Sequence, residues 1–175
     1  MTTFLRILRL YPLALWAGGE VFFVIIAGIS FSVLPDAHLA GVIVRNALLA
    51  LHWIGLGGGS IYLLATLGLM AMQRDGHRAR TVEIVLVAVM MLVTAYSQFS
   101  VIPRMENDRL SLGGNVAAAG ERGPARLDFD RLHKVSVDLE GAVLVGAFVL
   151  LALAPVHDRR NALNESQESF TEERR

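Results

Sequence analysis

Residues 47–72 decide the fold, and they read ALLALHWIGLGGGSIYLLATLGLMAM. This stretch contains no Asp, Glu, Lys or Arg, and it exceeds the roughly 20 residues that an α-helix needs to cross about 30 Å of hydrocarbon. Backbone N–H and C=O groups inside a bilayer must be satisfied within the segment, so a spanning stretch of this kind is helical. Residues 47–72 therefore predict a transmembrane helix.

Three further apolar stretches of similar length occur, at residues 11–34, 82–102 and 135–154. Charged residues make up only 18% of the chain, whereas a soluble domain carries about 25%, and the mean hydropathy is +0.50. The first stretch is much longer than the roughly 7–15 apolar residues of a signal peptide, so we expect it to be a retained helix. The fold class predicted is an all-α integral membrane bundle of four transmembrane helices.

The spans divide the chain into a transmembrane domain, residues 1–156, and a charged C-terminal tail, residues 157–175. The tail has few aromatic residues, and its composition predicts disorder. Residues 103–134 form the predicted extramembrane loop between the third and fourth spans. Its Gly- and Ala-rich middle, residues 113–123, is expected to be mobile, and Pro124 is suited to open a helix.

Basic residues near the ends of the spans predict the orientation. They lie before the first span, after the second and after the fourth: Arg6, Arg9, Arg74, Arg78, Arg80, Arg159 and Arg160. We therefore expect a multi-pass protein of the cell membrane with both termini in the cytoplasm. The formal net charge is zero and gives no reason to expect a nucleic-acid partner. The chain has no cysteine, which excludes disulfides, thiolate metal sites and cysteine nucleophiles.

Four polar residues inside the spans are candidates for a shared pocket: Glu20, His52, Gln98 and Glu140. Ionisable groups within a span usually face the bundle interior or a cavity, because exposure to lipid is costly. When the spans are threaded antiparallel at 1.5 Å per residue, the four residues fall at a similar depth. The sequence predicts one polar pocket that opens toward the long loop.

Two interpretations of this pocket remain open. In the functional one, Glu20 and Glu140 supply charge for a proton or cation, and His52 supplies a neutral nitrogen ligand. These three residues are weak candidates for metal ligands, because a single histidine lacks partners at ligand spacing. In the structural interpretation, a carboxyl group and a histidine are hydrogen-bonded between helices. No catalytic residue and no cofactor is indicated, and we expect no enzyme activity because no nucleophile–base pair is visible.

Glycines on the second span predict close helix packing. Gly55 and Gly59 form a small-xxx-small pair on the helix face that also carries His52. Such a face packs closely against another helix of the same chain or of a second copy. Besides membrane lipid, we therefore name a homo-oligomer formed through Gly-rich faces as a possible partner.

Three stretches together resemble the transmembrane protein 205-like family: residues 13–19 (LALWAGG) with 21–23 (VFF), 96–105 (YSQFSVIPRM) and 129–136 (FDRLHKVS). The resemblance covers about residues 5–154 and implies four membrane helices without an established activity. More distantly, the four-helix pattern is similar to the copper-resistance D proteins. The positions that match the family pattern have no known role: Pro103, Arg104, Arg131, His133 and Ser136.

The resemblance suggests a loose link to metal or toxic-solute handling. Our first hypothesis is a small transporter or permeation module for a cation or toxic solute. The alternative is a membrane accessory protein that binds a partner or cofactor and transports nothing. A hydrated path that reaches Glu20 would favour the transporter.

Overall fold

A computed structural model describes residues 2–72, 77–114, 116 and 123–172 of the chain. Within these residues the backbone forms α-helices, one π-helical turn and no β-strand. The helices are α1 (Thr2–Val33), α2 (Ala37–Met72), α3 (His77–Tyr96), α4 (Ile102–Ser111) and α5 (Pro124–Glu172). The π-helical turn Ser97–Val101 joins α3 to α4, so these two helices and the turn follow one another without a break.

Four helical segments in the described part of the chain are long and apolar enough to cross a membrane: Thr2–Val33, Ala37–Met72, Arg78–Ser111 and Pro124–Arg160. The predicted all-α bundle of four transmembrane helices is confirmed. Each segment is longer than the apolar run that predicted it. The more polar residues at its ends continue the same helix, which the count of apolar residues alone does not detect.

The predicted loop 103–134 contains helix at both of its ends. α4 continues to Ser111, and α5 begins at Pro124, where a missing N–H costs no helical hydrogen bond. Gly113 and Gly114 end α4 with φ angles of +75° and +84°, a region that favours glycine. The predicted mobility of residues 113–123 falls mostly outside the described residues, as does Arg74 of the predicted basic turn.

Helix α5 extends to Glu172 and so includes most of the segment 157–175 that the composition predicts as a disordered tail. His157 and Asp158, at the start of that segment, contact α3 and α1 respectively. The bundle therefore uses the first residues that the sequence assigns to the tail. Disorder of the remaining tail stays a prediction.

The helices run alternately up and down between two ends of the bundle. The end that contains the α1–α2 link and the α4–α5 connection is called here the connection end, and the opposite one the terminal end. α2 packs between α1 and α3, and α5 packs against α1, α3 and α4. The four long helical segments, Thr2–Val33, Ala37–Met72, Arg78–Ser111 and Pro124–Arg160, are called the four rods of the bundle. Residues at similar heights on these rods face one interior.

The middle of that interior is built around Trp16 of α1, which is fully buried. A Cβ placed at Gly55 of α2 would lie 2.6 Å from the Trp16 ring, and one at Gly59 would lie 2.8 Å from Met91 of α3. Glycine at these positions lets α2 approach both neighbouring helices. The predicted close packing of the Gly55–Gly59 face therefore occurs within the chain.

Candidate functional site

His52 lies at the centre of a polar cluster that joins three of the rods. Its ring is fully buried. Nδ1 lies 2.8 Å from Oε1 of Gln98, and Nε2 lies 2.8 Å from Oε1 of Glu140. A doubly protonated imidazolium satisfies both contacts, and a neutral imidazole satisfies them when the Gln98 amide is turned over. The histidine thus holds α2 against both the π-helical turn and α5.

Within the described part of the chain, Glu140 uses only one of its two carboxylate oxygens. Oε1 contacts His52 and also accepts a hydrogen bond from Ser97 Oγ at 3.2 Å. Oε2 is buried, and no described residue donates a hydrogen bond to it. A buried carboxylate oxygen without a donor costs free energy. This atom therefore marks a position where a further donor or cation would be stabilising.

Glu20 approaches the same region from α1. Only 2% of the residue is exposed, and the indole N–H of Trp16, one helical turn earlier, donates to its Oε1 at 3.0 Å. Glu20 and Glu140 line one cavity. Of the four predicted pocket residues, the structure thus brings His52, Gln98 and Glu140 into direct contact and places Glu20 on the cavity beside them. Their role as a binding pocket stays a prediction.

The π-helical turn determines where Gln98 and Ser97 point. The N–H of Ile102 donates to the carbonyl of Ser97, five residues earlier, instead of four. Pro103 has no N–H and crowds the carbonyl of the preceding turn, which a widened turn accommodates. Turns of this kind occur frequently at functional sites. Pro103, inside a long helical stretch, was the sequence signal for this feature, and the sequence analysis did not use it.

The cavity has a volume of about 730 Å³ and extends from this cluster toward the connection end. Its walls are mostly apolar. They come from residues of α1, α2, α4 and α5, among them Phe23, Val44, Leu48, Ile102, Phe129 and Leu144. Glu20 and Glu140 form the deep end. The space is therefore an apolar cavity with carboxylates at its floor.

Charged residues at the mouth of the cavity are paired with one another. Glu106 of α4 binds Arg109 at 2.7 Å and Arg45 of α2 at 3.5 Å. Arg126 binds Asp130 at 2.9 Å on the first turns of α5. Because each of these arginines has a carboxylate partner, the mouth carries little uncompensated positive charge.

The family-pattern positions are divided between surface and cavity. Pro103, Arg104 and Arg131 are exposed. His133 is exposed, lines the cavity and stacks on Phe129 with ring centroids 6.3 Å apart. Ser136 is buried and also lines the cavity. Two of the five positions therefore lie at the site, Pro103 follows the π-helical turn, and the structure gives no role for Arg104 and Arg131.

A metal centre finds no support in the geometry. Among the residues that the structure describes, no three His, Cys, Asp or Glu side chains are placed to hold one ion. His52, Glu20 and Glu140 lie near one another, but Nδ1 of His52 is engaged with Gln98 and Nε2 with Glu140. The imidazole is thus occupied by hydrogen bonds within the cluster.

A second polar cluster lies at the terminal end, and the sequence analysis missed it. Arg9 is fully buried and binds Glu83 at 2.5 Å and Asp158 at 2.8 Å. Glu83 also accepts a hydrogen bond from the Tyr62 hydroxyl at 3.0 Å and lies 2.6 Å from Nδ1 of His157. The five residues come from all four rods, so the cluster ties the bundle together at this end.

Three members of this terminal cluster have another role in the predictions from the sequence. Arg9 is one of the basic residues that predict the orientation, and His157 and Asp158 lie in the predicted tail. Glu83 lies at the edge of the third predicted span, residues 82–102. Charge next to the end of a span is common, so position alone gives no signal of pairing. The charges Arg9, Glu83 and Asp158 flank three different spans at the same end, which was the available signal.

Four long apolar helices around a buried polar site define a multi-pass membrane protein. The sequence profile of a family described as a domain of unknown function, DUF4149, matches residues 12–109, more than half of the chain. The chain belongs to this family. The matched region contains Glu20, His52 and Gln98 but ends before Glu140. No curated protein and no solved structure matches the chain.

Proposed function

We propose that the chain binds a small organic cation in the cavity, as the substrate site of a small transporter. One observation carries this proposal: Glu140 presents a buried carboxylate oxygen without a donor among the described residues, at the floor of an apolar cavity. A cationic group placed there would supply the missing partner, and an apolar body would fill the space above it.

The charges at the floor favour a cation over an anion or a neutral ligand. Glu20 and Glu140 line one cavity, and His52 can balance at most one negative charge. An isolated carboxylate in a low-dielectric site is strongly disfavoured, so the second one needs a proton or a cation. Ligand binding would thus be coupled to the charge state of the floor.

The apolar walls favour an organic cation over a metal ion. Ca²⁺ takes six to eight oxygen ligands, and Mg²⁺ keeps most of its water. The described residues offer no such set. A cation whose charge is shielded by apolar groups gives up less hydration on entering such a cavity. The link to toxic-solute handling that the resemblance to the transmembrane protein 205-like family implies is compatible with this ligand class.

Binding without transport is the second candidate, and one observation favours it. Between the floor of the cavity and the terminal cluster lies a layer of buried side chains that includes Leu13, Trp16 and Leu150. This layer and the terminal cluster close the terminal end. A transporter must open this end in another conformation, whereas an accessory protein that binds a ligand need not.

Orientation and assembly are part of the proposal. We place both termini in the cytoplasm, so that the cavity opens in the outer half of a cell membrane. Gly55 and Gly59 are used inside the chain. A homo-oligomer would therefore have to form through other helix faces. Because the chain has no native cysteine, labelling of single cysteines from either side would test the orientation.

The test of the cation site is a binding measurement on the purified protein in lipid nanodiscs. The probe is tetraphenylphosphonium, and tetraphenylborate, of similar shape and opposite charge, is the control ligand. We expect tetraphenylphosphonium alone to bind. Removing one floor charge in Glu20→Gln or Glu140→Gln should weaken binding about tenfold or more, because a contact to a charged group contributes about 1.5–3 kcal/mol.

Asp138→Asn is the matched control, since Asp138 is an exposed carboxylate on α5 that does not line the cavity. It should leave binding unchanged. Equal binding of both ions, or unchanged affinity in both glutamine variants with their folding intact, would reject the cation site. Movement of tetraphenylphosphonium into proteoliposomes then separates the two candidates: flux supports transport, and binding without flux supports the accessory role.

A further inference from the structure

We propose that the ligand enters this cavity sideways from the membrane, through an opening between α1 and α5 at the connection end. The substrate class is accordingly a lipid-soluble cation that partitions into the bilayer before it binds. The identity of the ligand as a cation rests on the proposed function. The opening itself rests on the geometry of the cavity wall.

Exposure of the lining side chains locates the opening. On α1, Val24 and Phe31 are 61% and 54% exposed, and on α5 Val137 is 57% exposed. All three line the cavity. On the opposite wall, Leu48 of α2 and Ile102 of α4 are 8% and 5% exposed. The cavity is therefore closed by α2 and α4 and open where α1 faces α5.

Two glycines, at different levels along the cavity, show that α1 and α5 leave open space between them. A Cβ added at Gly28 of α1 or at Gly141 of α5 would meet no other atom within 4 Å. Glycines normally let helices approach closely, yet here they border open space. Arg9 holds the two helices together only at the terminal end, through Asp158 and the carbonyl of Ala154. These ties between α1 and α5 therefore lie at the terminal end, away from the open space beside Gly28 and Gly141.

The route from water is covered by polar groups that are already engaged. Arg109 donates to the carbonyl of Gly114 at 3.0 Å and contacts His38 at 3.3 Å. Arg126 donates to the carbonyl of Val116. A ligand that came from water would have to separate these groups, whereas the side chains that border the lateral route are apolar except for His133. A ligand with an apolar body partitions into the lipid, because its apolar surface leaves water there. The lateral route keeps that surface out of water as well.

All charged or titratable groups that line the cavity are compatible with this route. They are Glu20 on α1, His38 and Arg45 on α2, Glu106 and Arg109 on α4, and Arg126, His133 and Glu140 on α5. The arginines lie at the mouth and pair with Glu106 or Asp130. The carboxylates Glu20 and Glu140 lie deepest, so attraction for a cation is strongest beyond the opening.

The test places a spin label in the cavity and measures which reagents collide with it. Gly41 of α2 lines the cavity, and a Cβ there meets no other atom, so Gly41→Cys accepts a label. Gly57→Cys, on an exposed face of α2, serves as the lipid-exposed reference. In bilayers we expect oxygen, which is lipid-soluble, to reach the label at residue 41 nearly as well as at the reference, and a water-soluble nickel complex to reach it poorly.

Narrowing the opening provides the decisive comparison. Gly28→Leu combined with Gly141→Leu fills the space between α1 and α5 without a steric clash at either Cβ. It should lower the oxygen accessibility of the label at least twofold. Gly18→Leu, an equivalent change on the outer face of α1, is the control and should have no effect.

Three outcomes would overturn the lateral route. They are greater access for the nickel complex than for oxygen, low access for both reagents because a second copy covers the opening, and no effect of the double leucine variant. Since this measurement uses no ligand, it fails independently of the cation site. If tetraphenylphosphonium binds but the spin label is not accessible to oxygen, the proposed cation site is supported and only the lateral route is rejected.

Discussion

At the residue scale, the cluster around His52 shows how one imidazole organises a membrane interior. Its two nitrogens lie 2.8 Å from Gln98 and from Glu140, which reside on two other rods. In lipid, a polar side chain has no water as an alternative partner. Each member of the cluster therefore depends on the others for its hydrogen bonds, and the loss of one leaves its partners buried and unpaired.

Replacing His52 by alanine should accordingly destabilise the bundle. The change removes the histidine contact from Gln98 and from Glu140. Among the described residues, Ser97 then remains as a donor to Oε1 of Glu140, and Oε2 has none. We expect a loss of about 1–3 kcal/mol of unfolding free energy, the cost of leaving a buried polar group unsatisfied. SDS-induced unfolding in mixed micelles would measure it.

Glu20→Gln is the control for this prediction. The carboxamide oxygen can still accept the hydrogen bond from Trp16, so the stability should change little. A stability loss in Glu20→Gln as large as that in His52→Ala would mean that Glu20 holds the bundle together through its charge. That result would contradict a structural role for His52 alone and a ligand-binding role for Glu20.

The sequence predicted the grouping of the residues around His52 better than it predicted which charges near the ends of the spans are buried and paired. Glu20, His52, Gln98 and Glu140 stand out because each interrupts an apolar run, and a common depth follows from the rise per residue. Arg9 carries no such signal, because an arginine at the start of a first span is what orientation alone requires. Which flanking charge is buried depends on helix tilt and packing, which the spacing of residues does not encode.

At the element scale, the packing of α2 depends on which glycines face inward. A Cβ at Gly55 would lie 2.6 Å from Trp16, whereas one at Gly57 would meet no atom within 4 Å. The sequence motif shows three successive glycines at residues 57–59 and does not say which of them are buried. Only the rotation of α2 about its axis decides this, and that rotation is set by packing against α1 and α3.

Gly55→Ala should therefore destabilise the protein, and Gly57→Ala should not. At Gly55 the added methyl group forces α2 and Trp16 apart, an overpacking that typically costs about 1–3 kcal/mol. At Gly57 the methyl group faces open space, and alanine is the better helix former. Thermal unfolding in detergent compares the two variants directly. An equal effect of both substitutions would show that Gly55 does not face Trp16.

The π-helical turn Ser97–Val101 is the element that aims Gln98 and Ser97 at the site. In Pro103→Ala the backbone regains an N–H, and the turn can revert to ordinary α-helical hydrogen bonding. That change would rotate Ser97 and Gln98 away from Glu140 and His52. We expect weaker tetraphenylphosphonium binding, measured in nanodiscs as for the glutamate variants. The stability should fall by about 1–3 kcal/mol, because His52 and Glu140 lose buried partners. Unchanged binding would indicate that the turn persists without the proline.

At the scale of the whole molecule, the two ends of the bundle differ in kind. The connection end contains a cavity open between α1 and α5, with its carboxylates at the floor. The terminal end contains paired charges from all four rods and no described gap between α1 and α5. A buried layer that includes Leu13, Trp16 and Leu150 separates the two polar regions. This asymmetry is expected of a protein whose binding site is reached at one end of the bundle and closed at the other.

The terminal cluster should therefore carry a large share of the stability, and Arg9→Gln tests this. Arg9 is buried between Glu83 and Asp158, and breaking a buried pair by removing one partner typically costs about 3–5 kcal/mol, because a charge is left uncompensated. Arg6→Gln is the matched control. Arg6 is an arginine on the same helix that lies 3.6 Å from Asp158, with 22% of its side chain exposed.

Loss of the Arg6 pair should cost at most about 1 kcal/mol, as for other partly exposed ion pairs. SDS-induced unfolding of both variants gives the comparison. The double variant Arg9→Gln with Glu83→Gln should recover part of the loss, because it removes both charges of the pair instead of stranding one. Equal losses in Arg9→Gln and Arg6→Gln, or no recovery in the double variant, would show that the bundle is held at this end by its apolar contacts and not by the pair.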